Sequence, residues 1–218
     1  TELVPELLAA RLPTPSGAVL DLRIDLPDAR IGLPDGSEPR PAVVLCHGFK
    51  GFMDWGFFPP LGELLATRGF VAVRFNFSGS GMRPGEDSAG DPEGFRANTY
   101  SRERADLLAV LEAAAAGALV PGRIDAGRLG LFGHSRGGGA ALLAAAHPAW
   151  RERVKALVTW AAVSDFDRYT PEQKEAWRRD GEHPVVNART GQRLALGLGL
   201  LEDLEAHREE LDLKKAAS

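Results

Sequence analysis

The sequence predicts an α/β fold with a mainly parallel sheet flanked by helices. Short apolar runs typical of buried strands alternate with segments of helical character, which is the pattern of strand–helix–strand units with right-handed crossovers. The 218 residues are 44% hydrophobic and 26% charged, as is ordinary for a globular protein. This length suits one core, so we expect a single domain over residues 1–218.

The individual elements follow from local patterns. Residues 18–26 alternate apolar and polar side chains, which indicates a half-buried antiparallel strand at the sheet edge. A turn is predicted at residues 33–36 from Leu-Pro-Asp-Gly. Continuous apolar runs predict buried strands at 42–46, 70–77, 129–132 and 156–163, and helices are predicted at 61–68, 98–116 and directly after residue 137.

The pattern changes after Ser164. Residues 169–182 are polar and charged, residues 185–195 indicate a small hairpin, and residues 200–213 form an amphipathic helical pattern. We interpret residues 164–213 as an insertion or cap beside the sheet.

A candidate nucleophile follows the strand at 129–132. That strand meets Gly133-His134-Ser135-Arg136-Gly137, and an alanine- and leucine-rich helical segment comes next. Strand, G-x-S-x-G and helix in this order are typical of a nucleophile elbow, in which the serine hydroxyl stands above a parallel sheet. Glycines suit a turn in which backbones approach closely. The alternative is an ordinary glycine-rich turn between a strand and a helix.

A second motif, Cys46-His47-Gly48-Phe49-Lys50-Gly51, follows the strand at 42–46. Acyl transfer through a serine needs backbone donors aimed at the oxyanion. In an elbow, one donor follows the nucleophile and the other comes from this earlier loop. We interpret His47 as a structural histidine rather than a base, and Cys46 as a small buried apolar residue.

Together the two motifs resemble those of α/β-hydrolases, closest in pattern to esterase, dienelactone-hydrolase and serine-peptidase-like members. The resemblance covers residues 17–163 and includes the loop Asn76–Gly81, where Asn76 and Ser78 replace the usual aspartate and arginine. It implies that Ser135 is the nucleophile and that the N–H groups of Phe49 and Arg136 form the oxyanion hole. It implies no cofactor, and no metal-ligand spacing is present in the sequence.

A dinucleotide site is the weaker alternative for the loop after residue 77. Gly79, Gly81 and Gly85 follow a strand, but their spacing departs from G-x-G-x-x-G, and Pro84 stands where a helix should open.

The rest of a catalytic triad is harder to place. In the family the order is serine, acid, histidine. Asp165 is a candidate acid, although aspartates after strands are more often turn residues. We interpret His147 as a structural residue at the end of the helix after Ser135. We interpret His183 and His207 as solvated residues on the surface. We therefore expect the sequence to stop before two further strand–helix units that carry the acid and the histidine, which would leave an exposed sheet edge.

These features predict a serine hydrolase that cleaves a small-molecule carboxylic ester, or less readily an amide. The alternatives are a non-catalytic hydrolase-like scaffold, an inactive fragment, and an acyltransferase. A net charge of −4 argues against a nucleic-acid partner, and no apolar run is long enough to span a membrane. We expect a cytoplasmic protein that can form homo-oligomers through the exposed edge. Aromatic residues near the second motif predict a pocket wall or core packing: Phe49, Phe52, Trp55, Phe57 and Phe58.

Overall fold

A computed structural model describes residues 5–28 and 38–218, so the turn predicted at 33–36 lies outside the described residues. A six-stranded sheet has the order β1-β2-β4-β3-β5-β6, and a second sheet consists of β7 and β8. The strands are β1 (Glu6–Pro13), β2 (Val19–Leu26), β3 (Arg40–Cys46), β4 (Val71–Phe75), β5 (Ile124–His134), β6 (Val154–Trp160), β7 (Glu182–Val186) and β8 (Arg193–Gly197). The helices are α1 (Phe58–Thr67), α2 (Pro92–Arg96), α3 (Tyr100–Ala115), α4 (Arg136–Ala146), α5 (Pro171–Asp180), α6 (Leu198–Ala206) and α7 (Leu213–Ala216).

The sheet is parallel at its centre and antiparallel at one edge. Strands β4, β3, β5 and β6 run parallel, whereas β1 and β2 form an antiparallel hairpin that joins β4. This confirms the predicted fold class and the antiparallel assignment of residues 18–26. Strand β2 is not the predicted edge strand, because β1 pairs with its outer side. Strand β1 was not predicted separately, because its alternation is weak and five of its eight residues are exposed.

Helices cover both faces of the sheet. On one face, α3 and α4 pack their apolar sides against the central strands, including Val44, Val73 and Leu131. On the other face, α1 packs on the neighbouring residues Leu45 and Ala72. Successive residues of β3 and β4 therefore enter different cores, as expected for strands buried on both faces.

Residues 164–213 contain two helices and a hairpin. Helix α5 lies in the segment that was described only as polar, and it begins with a capping box between Thr170 and Gln173. Hairpin β7–β8 agrees with the predicted hairpin to within a few residues. Helix α6 begins near the predicted start but ends at Ala206, seven residues before the predicted end at residue 213. A second apolar cluster joins these elements to the loops above the sheet, with Trp177 and Leu200 at its centre.

Two further details differ from expectation. Helix α2 was not predicted from the sequence, and Asp91 caps it by accepting a hydrogen bond from Gly94 N. Strand β6 ends at Trp160 instead of residue 163, because Ala161 adopts a left-handed conformation with φ of 49°. Within the described ranges, no helix is long and apolar enough to cross a membrane.

Candidate active site

Ser135 occupies a sharp turn between β5 and α4. Its backbone has φ 54° and ψ −121°, a left-handed conformation that is rare for residues other than glycine. Three hydrogen bonds hold the turn: Ser135 N donates to Trp160 O at 3.0 Å, and Ser135 O accepts from Gly138 N at 3.0 Å and Val163 N at 3.2 Å. The strand–turn–helix context predicted for G-x-S-x-G is therefore present, with a strained serine at its apex.

The flanking glycines are required by packing. A Cβ on Gly133 would lie 2.5 Å from Gly137 O, and a Cβ on Gly137 would lie 2.3 Å from His47 O. Both contacts are with backbone atoms, which cannot move aside. A Cβ on Gly48 would touch the Cβ of Ser135 at 3.0 Å. The loop after β3 and the elbow therefore lie in direct contact.

The two amides that the resemblance assigns to an oxyanion hole flank this contact. In the described part of the chain, the backbone N–H groups of Phe49 and Arg136 donate to no protein acceptor. Unpaired backbone donors are uncommon in protein interiors, and Arg136 is buried. Both groups remain available to an acceptor supplied by a ligand.

His47 is fully engaged by backbone groups. Its Nδ1 lies 2.9 Å from Gly48 O, and its Nε2 accepts from Phe77 N at 3.2 Å, so the ring is neutral with the proton on Nδ1. Burial lowers the pKa of His47 to about 4. These contacts favour the structural interpretation of this residue. Burial likewise raises the pKa of the Cys46 thiol, which keeps it protonated.

Ser135 is partly exposed and lines two clefts. The first cleft, of about 250 Å³, lies between the loop after β6, α5 and β7. Its lining comprises Phe49, Tyr100, Ser135, Arg136, Val163, Asp165, Phe166, Arg168, Tyr169, Gln173 and His183. The second, of about 230 Å³, lies between the loop after β3 and the turn of the β7–β8 hairpin. Its lining comprises Gly48, Phe49, Lys50, Gly51, Trp55, His134, Ser135, Asn187, Ala188 and Arg189.

The side chain of Arg136 links the elements around the first cleft. It forms a buried, two-pronged ion pair with Glu103 of α3, and Glu103 also accepts from Asn98 Nδ2 at 2.7 Å. The guanidinium lies 4.7 Å from the ring centre of Phe49 and 5.0 Å from that of Tyr100. Burial by itself would lower the pKa of Arg136. The electrostatic interactions with Glu103 and its neighbours outweigh burial and raise this pKa. Sequence reasoning assigned only the backbone of Arg136 and missed this network.

The structure places the candidate triad residues differently. His183 is half-buried against Tyr169 and Trp177 and lines the first cleft, so its interpretation as solvated surface was wrong. His207 is exposed and lies 3.0 Å from Asp203, and His147 lines a separate cavity at the far end of α4. Asp165 lines the first cleft and accepts from Asp167 N at 2.8 Å, as a turn aspartate does.

The aromatic residues near the loop after β3 divide between the two predicted roles. Phe49 and Trp55 line the clefts, whereas Phe52 and Phe58 are buried in apolar clusters and Phe57 packs beside Phe58.

The loop after β4 is held by internal contacts. Asn76 Oδ1 accepts from Met53 N, and Ser78 donates to Asp106 through both its amide and its hydroxyl, each at 2.8 Å. A Cβ on Gly79 would overlap the side chain of Asn98. The next helix begins only at Pro92. The glycines therefore serve packing, and the geometry contradicts a dinucleotide fingerprint.

Comparison with known proteins adds the family. A family model described as serine aminopeptidase, S33, matches residues 37–202. The chain belongs to this family. Its fold is that of the α/β-hydrolases: the structure matches Est1E from Butyrivibrio proteoclasticus with a TM-score of 0.56 and 19% identity, covering 91% of this chain and 69% of that one. Dienelactone hydrolase from Anabaena variabilis matches with a TM-score of 0.55 and 19% identity, covering 72% and 64%.

Two curated relatives resemble this family member in sequence. A bis(hydroxyethyl) terephthalate hydrolase of Streptomyces coelicolor is 33% identical over 134 residues, which cover 60% of this chain and 35% of the relative. An Escherichia coli protein, described as an uncharacterized 31.7 kDa protein in the traX-finO intergenic region, is 31% identical over 135 residues, covering 62% and 42%. The chain thus spans less than half the length of these relatives.

Proposed function

We propose that this hydrolase cleaves a carboxylic ester through an acyl-enzyme on Ser135. The observation that carries the proposal is the position of Ser135: its strained turn lies at the meeting point of two clefts, beside two backbone N–H groups that have no protein partner in the described residues. This arrangement suits acyl transfer, because the charge that develops on the carbonyl oxygen needs donors already in place.

The proposed reaction has two steps. Ser135 Oγ attacks the ester carbonyl while a base takes its proton, and the N–H groups of Phe49 and Arg136 donate to the resulting oxyanion. The carbonyl re-forms as the protonated alcohol leaves. Water then attacks the acyl-enzyme and releases the acid, which restores the serine.

The base is proposed to belong to a longer form of the protein. In the described residues no histidine forms a hydrogen bond with Ser135, and family order puts acid and histidine after the nucleophile. The curated relatives are more than twice as long as the matched segment. Residues 164–213 would act as a cap over the site, because His183 and Asn187 from this segment line the two clefts.

An ester fits the clefts better than a peptide with a free amino terminus. An α-ammonium group needs a carboxylate partner. The described lining of the two clefts contains a single carboxylate, Asp165, and the positive charge of Arg168 lies in the same cleft, which disfavours an ammonium group there. The similarity to a bis(hydroxyethyl) terephthalate hydrolase supports an ester with an aromatic acid as the first substrate class to test.

The test uses the full-length protein and p-nitrophenyl benzoate. We expect Ser135→Ala to lower kcat/KM by about a thousandfold or more, as removal of a nucleophile does. Ser164→Ala is the matched control, since Ser164 is an exposed serine outside both clefts, and it should keep the wild-type rate. A fluorophosphonate probe should label Ser135, located by peptide mass spectrometry. Labelling at another serine, or full activity in Ser135→Ala, would contradict the proposal.

A further inference from the structure

The second cleft beside Ser135 is positively charged. Lys50 and Arg189 lie in its lining, and no carboxylate does so among the described residues. The first cleft differs, because it contains Asp165 together with Arg168 and is walled by the rings of Tyr100, Phe166 and Tyr169. A substrate bound across Ser135 therefore meets aromatic surface on one side and two cations on the other.

Both cations are held in position by the fold. Lys50 adopts a left-handed backbone with φ of 58°, and its Nζ donates to Val186 O of β7 at 2.8 Å. Arg189 donates to Asp87 O, and its guanidinium lies 5.3 Å from the ring centre of Phe52. Each contact uses one donor of a group that has several, so both side chains keep N–H groups for a ligand.

The hairpin turn that carries Arg189 is itself tied down. Gln192 Nε2 donates to Ala89 O, and Gln192 Oε1 accepts from Ala89 N, both at 2.8 Å. Asn187 is buried and accepts from Arg189 N at 3.1 Å. The second cleft therefore has a fixed cation in each of two walls. Lys50 lies directly after Phe49 in the loop after β3, and Arg189 lies in the turn of the β7–β8 hairpin.

We propose that this cleft binds a carboxylate of the substrate, so that the preferred ester carries a negative charge on one side of the scissile bond. The inference rests on the proposed function in one respect, which is that the bound molecule is an ester substrate. The preference for a carboxylate concerns binding in the second cleft and does not require that the ester is cleaved. Charge-assisted hydrogen bonds from lysine and arginine are the interactions that such a group would gain.

The test is a binding measurement on the full-length Ser135→Ala variant, which prevents turnover. The ligands are methyl 4-carboxybenzoate, which is an anion at pH 7.5, and its neutral isostere methyl 4-carbamoylbenzoate. Binding is followed by isothermal titration calorimetry and by the fluorescence of tryptophan, since Trp55 lines the cleft. We expect the anion to bind about 5- to 10-fold more tightly at low salt, with the difference shrinking in 0.5 M NaCl.

Substitutions in each cleft test whether the preference for the anionic ligand arises in the second cleft. In the background of Ser135→Ala, the pair Lys50→Gln and Arg189→Gln should abolish the difference between the two ligands, whereas Arg168→Gln in the first cleft should retain it. Thermal unfolding of each variant checks that the fold is intact.

Each result bears on the inference. Equal affinities, no binding of the anion at millimolar concentration, or a preference that survives Lys50→Gln/Arg189→Gln would overturn it. A preference with the expected variant pattern in a protein that fails to hydrolyse esters would refute the proposed function and leave the carboxylate site standing.

Discussion

Residue 137 lies where the elbow is packed most tightly against the loop after β3. A Cβ at this position would be 2.3 Å from His47 O and 2.5 Å from Cys46 O. Real Cβ atoms do not approach backbone oxygens so closely, so the first turn of α4 would have to move away from β3. The displaced turn would carry Ser135 and the N–H of Arg136 with it.

We therefore expect Gly137→Ala to lower the free energy of unfolding by about 3 kcal/mol or more, as severe overpacking does. Gly199→Ala is the control. Gly199 is an exposed residue of α6 with open space at its Cβ, and alanine there should be neutral or stabilising by up to about 1 kcal/mol. Urea unfolding followed by circular dichroism measures both, and equal effects of the two substitutions would argue against the close packing at residue 137.

His47 and Asp106 give stability opposite dependences on pH. Burial lowers the pKa of His47 to about 4, so the folded state binds fewer protons than the unfolded state between pH 4 and 6.5, and stability rises with pH. Burial raises the pKa of Asp106 to about 6 despite its hydrogen bonds from Ser78. The folded state then binds more protons between about pH 4 and 6, and stability falls with pH.

Each effect is on the order of 3 kcal/mol, so the two oppose each other between pH 4 and 6. Asp106→Asn keeps an acceptor for Ser78 but removes the titration. We expect the free energy of unfolding to rise more steeply with pH over that window in this variant than in the wild type, because only the variant lacks the opposing titration. Urea titrations at pH 4, 5, 6 and 7 measure the difference. Parallel curves for the two proteins would rule out a raised pKa at Asp106.

Helices α3 and α4 are joined by the buried ion pair between Glu103 and Arg136. Both partners are nearly inaccessible, and Arg136 also packs on Phe49 of the loop after β3. Removing one partner leaves the other charge buried without compensation, which is the costly outcome for such pairs. The pair therefore holds the proposed oxyanion loop against the elbow.

We expect Glu103→Gln and Arg136→Met each to destabilise the protein by about 3 to 5 kcal/mol. The double variant should be less destabilised than the sum of the two by more than about 1 kcal/mol, because it leaves no unpaired charge. Glu112→Gln, at an exposed pair between α3 and Arg153, serves as the control and should stay within about 0.5 kcal/mol. Strict additivity in the cycle would show that the two charges do not interact.

At the element scale, local signals identified strands better than short helices. The buried strands were found because their apolar runs are continuous. Helix α5 was missed because most of its side chains face solvent, with Trp177 as its buried anchor. Helix α2 has five residues, too few for a helical period to show.

At the scale of the whole molecule, β6 is an edge strand of the six-stranded sheet, and among the described strands it pairs only with β5. Val158 and Trp160 of this strand are each more than half exposed. Exposed edges with apolar side chains favour pairing with another chain. Self-association through this edge remains a prediction of the sequence, now placed on β6.

We expect the 218-residue chain to associate at micromolar concentrations, and Val158→Lys to weaken this by about tenfold, because a charge on an edge strand opposes pairing. Val186→Lys is the control, since Val186 is an equally exposed valine on the separate β7–β8 sheet. Sedimentation velocity over a concentration series measures the change. A monomer at all concentrations, or equal effects of both lysines, would remove β6 as the contact.

The positions of the buried strands and the elbow could be anticipated from residues 17–163, since apolar runs, glycine placement and G-x-S-x-G spacing act over a few neighbouring residues, whereas the order of the strands in the sheet came only from the structure. Packing alone revealed the partners of these residues. Lys50 meets Val186 across 136 residues of sequence, Arg136 meets Glu103 across 33, and His183 joins the cleft of Ser135. Such contacts depend on how the hairpin and helices close over the sheet, and no local pattern of charge or hydrophobicity encodes that closure.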